Sequence, residues 1–161
     1  MKLTRDLLHD YQERGVKFIK EVGKCGLFID LGMGKTLTSL TAISDLSDSM
    51  DVSKVLIIAP LRVANTTWHK ELKSWEHTKH LSYSICTGSE KNRLQGLMKN
   101  SDIYIINREN VKWLVDHYGK KWPFDMVVID ESSSFKSATS QRWKALRNVT
   151  AYIDRTGLLT G

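Results

Sequence analysis

Two segments of this 161-residue chain carry residues whose types and spacing suit phosphate chemistry. In GLFIDLGMGKTLTSL, residues 26–40, an apolar strand-like run ends at Asp30, a turn holds Gly32, Met33 and Gly34, and Lys35 and Thr36 open an amphipathic helix. Glycines let backbone N–H groups turn inward, the helix N-terminus adds partial positive charge, a lysine reaches the β/γ-phosphates and a hydroxyl holds Mg²⁺. The first ligand this implies is a nucleoside triphosphate. The strict pattern G-x-x-x-x-G-K-[ST] needs a glycine where Ile29 stands, so only the shorter G-x-G-K-T core is present. In MVVIDE, residues 126–131, four apolar residues precede Asp130 and Glu131. They read as a buried parallel strand delivering two carboxylates at its C-terminal edge, where open α/β sheets place their ligands. One acid suits Mg²⁺, and the next suits orienting or deprotonating an attacking water.

The elements that must position these groups are legible as alternation. Apolar runs recur as GLFID, KVLIIAP (54–60), LSYSIC (81–86), DIYII (102–106), MVVID and TGLLT (156–160), separated by amphipathic stretches. Strands alternating with helix-sized patterns imply βαβ units, a mostly parallel central sheet and helices on both faces. Helical periodicity is clearest at 66–76, where Trp68, Leu72 and Trp75 share a stripe with Asn65 or Thr66 as N-cap, and those tryptophans read as core. Lys70 and Lys73 fall off the stripe and are expected to be exposed. An earlier helix is expected from Arg5 to about Val22.

Composition sets the outer bounds. This length suits one domain, 1–161, around one core. The longest apolar run, VLIIAPL at 55–61, is far short of the ~18 residues that cross a membrane, so a soluble, cytoplasmic protein with no membrane partner is expected. Cys25 and Cys86 are too few for a disulfide framework and read as reduced thiols near the core. His77 and His80 sit three apart on a possible shared helix face, without a third metal ligand nearby. A formal charge of +6 and a pI near 9.3 favour a polyanionic partner, though many basic domains never touch nucleic acid.

Taken in order, LLHDYQERGVKFI (7–19), IDLGMGKT (29–36), VLIIAPLRVANTTWHKEL (55–72), TGS (87–89), IYIINRENV (103–111), VVIDESSSFKSATSQRWKAL (127–146) and LLTG (158–161) resemble successive motifs of the first motor domain of superfamily 2 helicases. The chain is most similar to the Swi/Snf-related helicase-like ATPases, especially their phage-borne members, for which the compartment would be the host cytoplasm. Lys136 and Ser140, after the acidic pair, resemble that branch rather than the DEAD-box one.

The resemblance implies a RecA-like P-loop fold and an ATP- and Mg²⁺-using, DNA-dependent ATPase or translocase. Gln12 would read the adenine edge, its alternative being a surface polar residue. Gly32, Met33, Gly34, Lys35 and Thr36 would wrap the phosphates, Thr36 and Asp130 would hold Mg²⁺, and Glu131 would be the catalytic base. Segments at Pro60 and Asn107 would follow a single- or double-stranded DNA backbone through Arg62, Thr66, Asn107 and Arg108. The two arginines are equally readable as solvated loop charges.

Two departures stand out. Ser132-Ser133 replaces the Ala-His of many relatives, so a Ser133 hydroxyl would have to couple the nucleotide site to Thr160 and Gly161. The sequence also stops inside that coupling motif, so a second RecA-like domain, supplied in cis or trans, is expected to complete the engine. The rivals are a P-loop phosphotransferase and a naturally short, non-catalytic nucleotide- or DNA-binding module.

Overall fold

The computed structural model describes residues 2–23, 26–30, 34–132 and 141–160, with the side chains of Ile29 and Asp30 left aside. Expectations placed on Cys25, Gly32, Met33, Ser133, Lys136, Ser140 and Gly161 lie outside the described residues. Six strands form one sheet: β1 (Gly26–Asp30), β2 (Val55–Ala59), β3 (Tyr83–Cys86), β4 (Ile103–Asn107), β5 (Met126–Ile129) and β6 (Arg155–Leu159). Their spatial order is β1-β6-β5-β2-β4-β3, and each neighbouring pair is parallel. Every residue of β2, β4 and β5 is buried, as expected for parallel strands covered on both faces.

Among the described residues six α-helices cover the sheet: α1 (Asp10–Glu21), α2 (Lys35–Asp48), α3 (Leu61–Ser74), α4 (Glu90–Met98), α5 (Val111–Tyr118) and α6 (Gln141–Arg147). Strand periodicity divides the core. Val55, Ile57 and Ala59 point toward α1, α2 and α3, whereas Leu56 and Ile58 point toward α5 and α6. Each such Ile or Leu contributes about 1.5–3 kcal/mol by burial, which makes the central strands a rigid platform.

Three local expectations change. The first helix is broken: a 3-10 turn at Arg5–Leu7 precedes an extended Leu8 and His9, and α1 begins only at Asp10. Gln12 explains the new start, because its Oε1 accepts from the His9 backbone N–H at 2.9 Å and satisfies a donor that the helix cannot. Helix α3 begins at Leu61 with Pro60 as N-cap, five residues before the periodic segment that starts at 66, so Asn65 and Thr66 lie inside it. Proline supplies no side-chain oxygen, but its fixed φ of −57° and its carbonyl, which accepts from Ala64 N–H at 2.8 Å, start the helix equally well. His77 and His80 lie beyond the end of α3 and share no helix: His77 Nε2 bonds Thr41 Oγ1 at 2.8 Å, and His80 faces Asp48 at 3.5 Å. No cluster of three metal-ligating side chains occurs among the described residues. Cys86 is a buried free thiol, pushed up to about 12 by burial. Among the described residues no helix is long and apolar enough to cross a membrane.

Candidate nucleotide and nucleic-acid site

The strand order decides the geometry. Strand β6 lies between β1, which leads into the glycine turn, and β5, which leads into the acidic pair, so all three C-terminal ends meet at one edge. Lys35, the first residue of α2, extends its Nζ over that edge to 2.8 Å from the Thr160 carbonyl oxygen and 3.8 Å from Asp130 Oδ1. A cation is thereby held at the sheet edge by one carbonyl and one carboxylate. Asp130 is 5% exposed. Its carboxyl is raised above the ordinary aspartate range by burial, against the opposing pull of the Trp68 indole and of Lys35. Oδ1 also accepts from the Glu131 backbone N–H at 3.0 Å.

Glu131 is half-buried and adopts φ +53°, the left-handed region that a non-glycine residue enters at a cost of about 1–2 kcal/mol. Such strain concentrates where a side chain must be aimed in a direction that regular backbone does not allow. Gly34 has φ +71° for a different reason. A Cβ there would lie 2.3 Å from Gln12 Nε2, so the turn requires both a left-handed backbone and an absent side chain. Gln12 is buried beneath this turn, which removes the surface-residue alternative. Thr36 sits half-buried in the first turn of α2, whose leading backbone N–H groups receive no side-chain cap.

These residues fit a nucleoside triphosphate with Mg²⁺. The lysine, an uncapped helix N-terminus and the left-handed Gly34 suit phosphate oxygens. A buried carboxylate at the end of β5 and a threonine hydroxyl in the first turn of α2 are ligand types that suit a hard cation.

The nucleic-acid candidates occupy the same edge further along. Arg62 is exposed near the start of α3, and its guanidinium makes no hydrogen bond or ion pair among the described residues. Thr66 Oγ1 is turned onto the Arg62 carbonyl at 2.7 Å, so this hydroxyl is already engaged within the helix. Asn107 is buried at the end of β4, and Arg108 pairs with Glu109 at 3.5 Å, so Arg108 is not a solvated loop charge.

Residues 11–161 match the SNF2-related domain. The chain belongs to the SNF2-related domain family. It is 35% identical over 129 residues to protein p41 of Acyrthosiphon pisum secondary endosymbiont phage 1, covering 79% of this chain and 28% of that protein. It is 28% identical to the mouse (Mus musculus) DNA excision repair protein ERCC-6-like over 157 residues, covering 89% of this chain and 12% of the relative. The chain thus spans well under a third of these curated relatives. The Sulfolobus solfataricus SWI2/SNF2 ATPase core, solved in complex with dsDNA, superposes with a TM-score of 0.74 at 25% identity, over 96% of this chain and 32% of that one. The bacteriophage T4 UvsW helicase shares the fold at a TM-score of 0.65 and 16% identity, over 94% of this chain and 51% of that one.

In this SNF2-related domain one contact escapes sequence reasoning. Trp68 is fully buried, as its stripe implies, yet its Nε1–H donates to Asp130 Oδ2 at 3.1 Å. A buried indole N–H usually finds an acceptor, and that tendency was the available signal; the acceptor's identity was not readable across 62 residues of sequence. Trp68→Phe keeps an aromatic ring but removes the donor and the five-membered half of the indole, leaving a buried carboxylate oxygen without its charge-assisted hydrogen bond and a small cavity beside it. A loss of at least about 1.5–3 kcal/mol is expected, the hydrogen bond's share being increased by the cavity. Thermal denaturation checks it, and an unchanged midpoint would show that neither the bond nor the lost packing carries net stabilisation.

Proposed function

We propose that this domain is the ATP-binding lobe of a DNA-dependent ATPase or helicase-like translocase. The observation that carries this reading is the convergence of Lys35, Asp130 and the Thr160 carbonyl beside a strained Glu131. Glu131 would take the proton from a water whose oxygen attacks the γ-phosphorus in line, as the bond to the β–γ bridging oxygen breaks and ADP leaves. Lys35 would move from the Thr160 carbonyl to the γ-phosphate and offset charge there. Thr36 and Asp130 would hold Mg²⁺, whose chemistry there would be to offset negative charge on the triphosphate. Gln12, seated under Gly34, would recognise the base. Gly32 and Met33 in the cradle and Ser133 and Gly161 in coupling complete the reading on sequence alone, with Thr160 joining them as the atom that releases Lys35.

Nucleic acid would lie along the starts of α3 and the segment after β4, touching Arg62, Thr66, Asn107 and Arg108. Such contacts position a backbone rather than read bases. Double-stranded DNA in the Sulfolobus complex supports this class of partner. A soluble, cytoplasmic setting belongs to the same proposal.

A second RecA-like domain, in cis or trans, would supply the arginine fingers. Such a residue is worth about 10³ to 10⁵ in rate. Residues 1–161 alone are therefore expected to bind ATP yet hydrolyse it near background, with DNA present or absent. Adding the second domain should raise the rate by orders of magnitude and make it DNA-dependent. Steady-state phosphate release, titrated with DNA and scaled with enzyme concentration, tests this. Robust DNA-stimulated turnover by residues 1–161, linear in enzyme, would mean a self-sufficient ATPase. Binding without turnover in every form would favour a non-catalytic module.

A further inference from the structure

Beyond β4 the chain builds a small cluster that the ATP site does not use. Glu109 Oε1 accepts from Asn107 Nδ2 at 3.1 Å, and Glu109 Oε2 lies 3.5 Å from Arg108 Nε and 3.6 Å from a terminal nitrogen of Arg142 on α6. Asn110 Nδ2 donates to Asn107 Oδ1 at 2.8 Å, which turns the Asn107 amide so that its own N–H groups face Glu109. The donors and the acceptor are unequally fixed. Asn107 is 6% exposed, and the Arg108 and Arg142 side chains are 21% and 23% exposed, whereas Glu109 is 49% exposed. Burial pushes the Glu109 carboxyl up, but the Asn107 amide and the two guanidiniums together hold it below the ordinary range.

We infer that Asn107, Arg108 and Arg142 form a seat for a nucleic-acid phosphodiester, and that Glu109 fills this seat until the backbone displaces it. Two guanidiniums and an amide converging on one anionic group match the donor pattern that recognises phosphate oxygens, and the donors are preorganised while the occupant is the exposed member. The seat opens at the C-terminal edge of the sheet, one strand beyond β2, whose end leads to Arg62. Arg142 thereby joins the nucleic-acid surface from a helix that no motif argument placed there. Glu109 makes entry an exchange of one anion for another, which weakens binding and flattens its dependence on salt. The inference rests on the nucleic-acid reading proposed above.

The test is fluorescence-anisotropy binding of residues 1–161 to a labelled DNA duplex of arbitrary sequence across a salt series, for wild type, Glu109→Gln, Arg142→Ala and the double variant. Gln retains an Oε1 acceptor for Asn107, and melting curves confirm folding of each protein. Glu109→Gln is expected to tighten binding on the order of tenfold and to steepen the log–log salt slope by about one contact. Arg142→Ala should weaken binding, and the gain from Glu109→Gln should shrink in the double variant, because the two changes act on one seat. Wild-type binding that Glu109→Gln leaves unchanged or weakens would overturn the seat alone. Equal gains with and without Arg142 would remove Arg142 from it. No binding by any of the four proteins, even at low salt, would overturn the nucleic-acid reading and the seat together.

Discussion

Glu131→Gln is expected to abolish ATP turnover in a two-domain form while leaving ATP affinity within a few-fold of wild type. Glutamine keeps the side chain's shape and hydrogen-bonding reach but cannot accept a proton at neutral pH. General-base catalysis contributes about 10² to 10⁴ in rate. The backbone sharpens the expectation: φ +53° aims this side chain away from the line of β5, and neighbouring Asp130 is engaged by Lys35 and Trp68, so no other described carboxylate beside Lys35 is left to do the task. Single-turnover phosphate release measures the chemical step and calorimetry measures binding. Turnover retained within tenfold would assign the base elsewhere. A parallel collapse in affinity would mean that Glu131 holds nucleotide instead of acting on water.

Lys35→Ala should weaken ATP binding on the order of tenfold or more, since a charge-assisted phosphate contact is worth about 1.5–3 kcal/mol. Equal affinity for wild type and variant would remove the glycine turn from the site. The same substitution has a second effect in the nucleotide-free protein. Asp130 is already raised by burial, and Lys35 is one of the groups opposing that rise, so its loss pushes Asp130 higher still. A carboxyl whose folded value exceeds its unfolded value binds more protons when folded. Stability therefore falls as pH climbs from the ordinary aspartate range through the raised folded value. Lys35→Ala is expected to cost more stability near neutrality than in acid, where Asp130 is protonated in both proteins. Denaturant titrations at several pH values check the sign; a cost independent of pH would mean that the Thr160 carbonyl, not Asp130, is what Lys35 stabilises.

Much of this architecture is local and so was legible. Short continuous apolar runs alternating with helix-sized amphipathic stretches suit the strands of a covered parallel sheet, and all six strands lie within two residues of the runs. The glycine turn and the acidic pair announce themselves because phosphate chemistry restricts residue type over a few adjacent positions. The misplaced helix starts at Asp10 and Leu61 share one cause. Periodicity registers where an apolar stripe begins, whereas a helix begins where its first backbone donors and acceptors find partners, here through Gln12 and Pro60.

Sequence alone determined that this chain carries a G-x-G-K-T segment and an acidic pair after apolar runs, because both signals are contained in short contiguous segments. Only the tertiary structure decided that β6 lies between β1 and β5 and so sets Lys35 on Thr160 and Asp130, that the core tryptophan Trp68 bonds Asp130, and that Arg142 meets Glu109. Strand order and cross-element contacts follow from how whole apolar faces are buried together, a property of the entire chain that no window of residues contains.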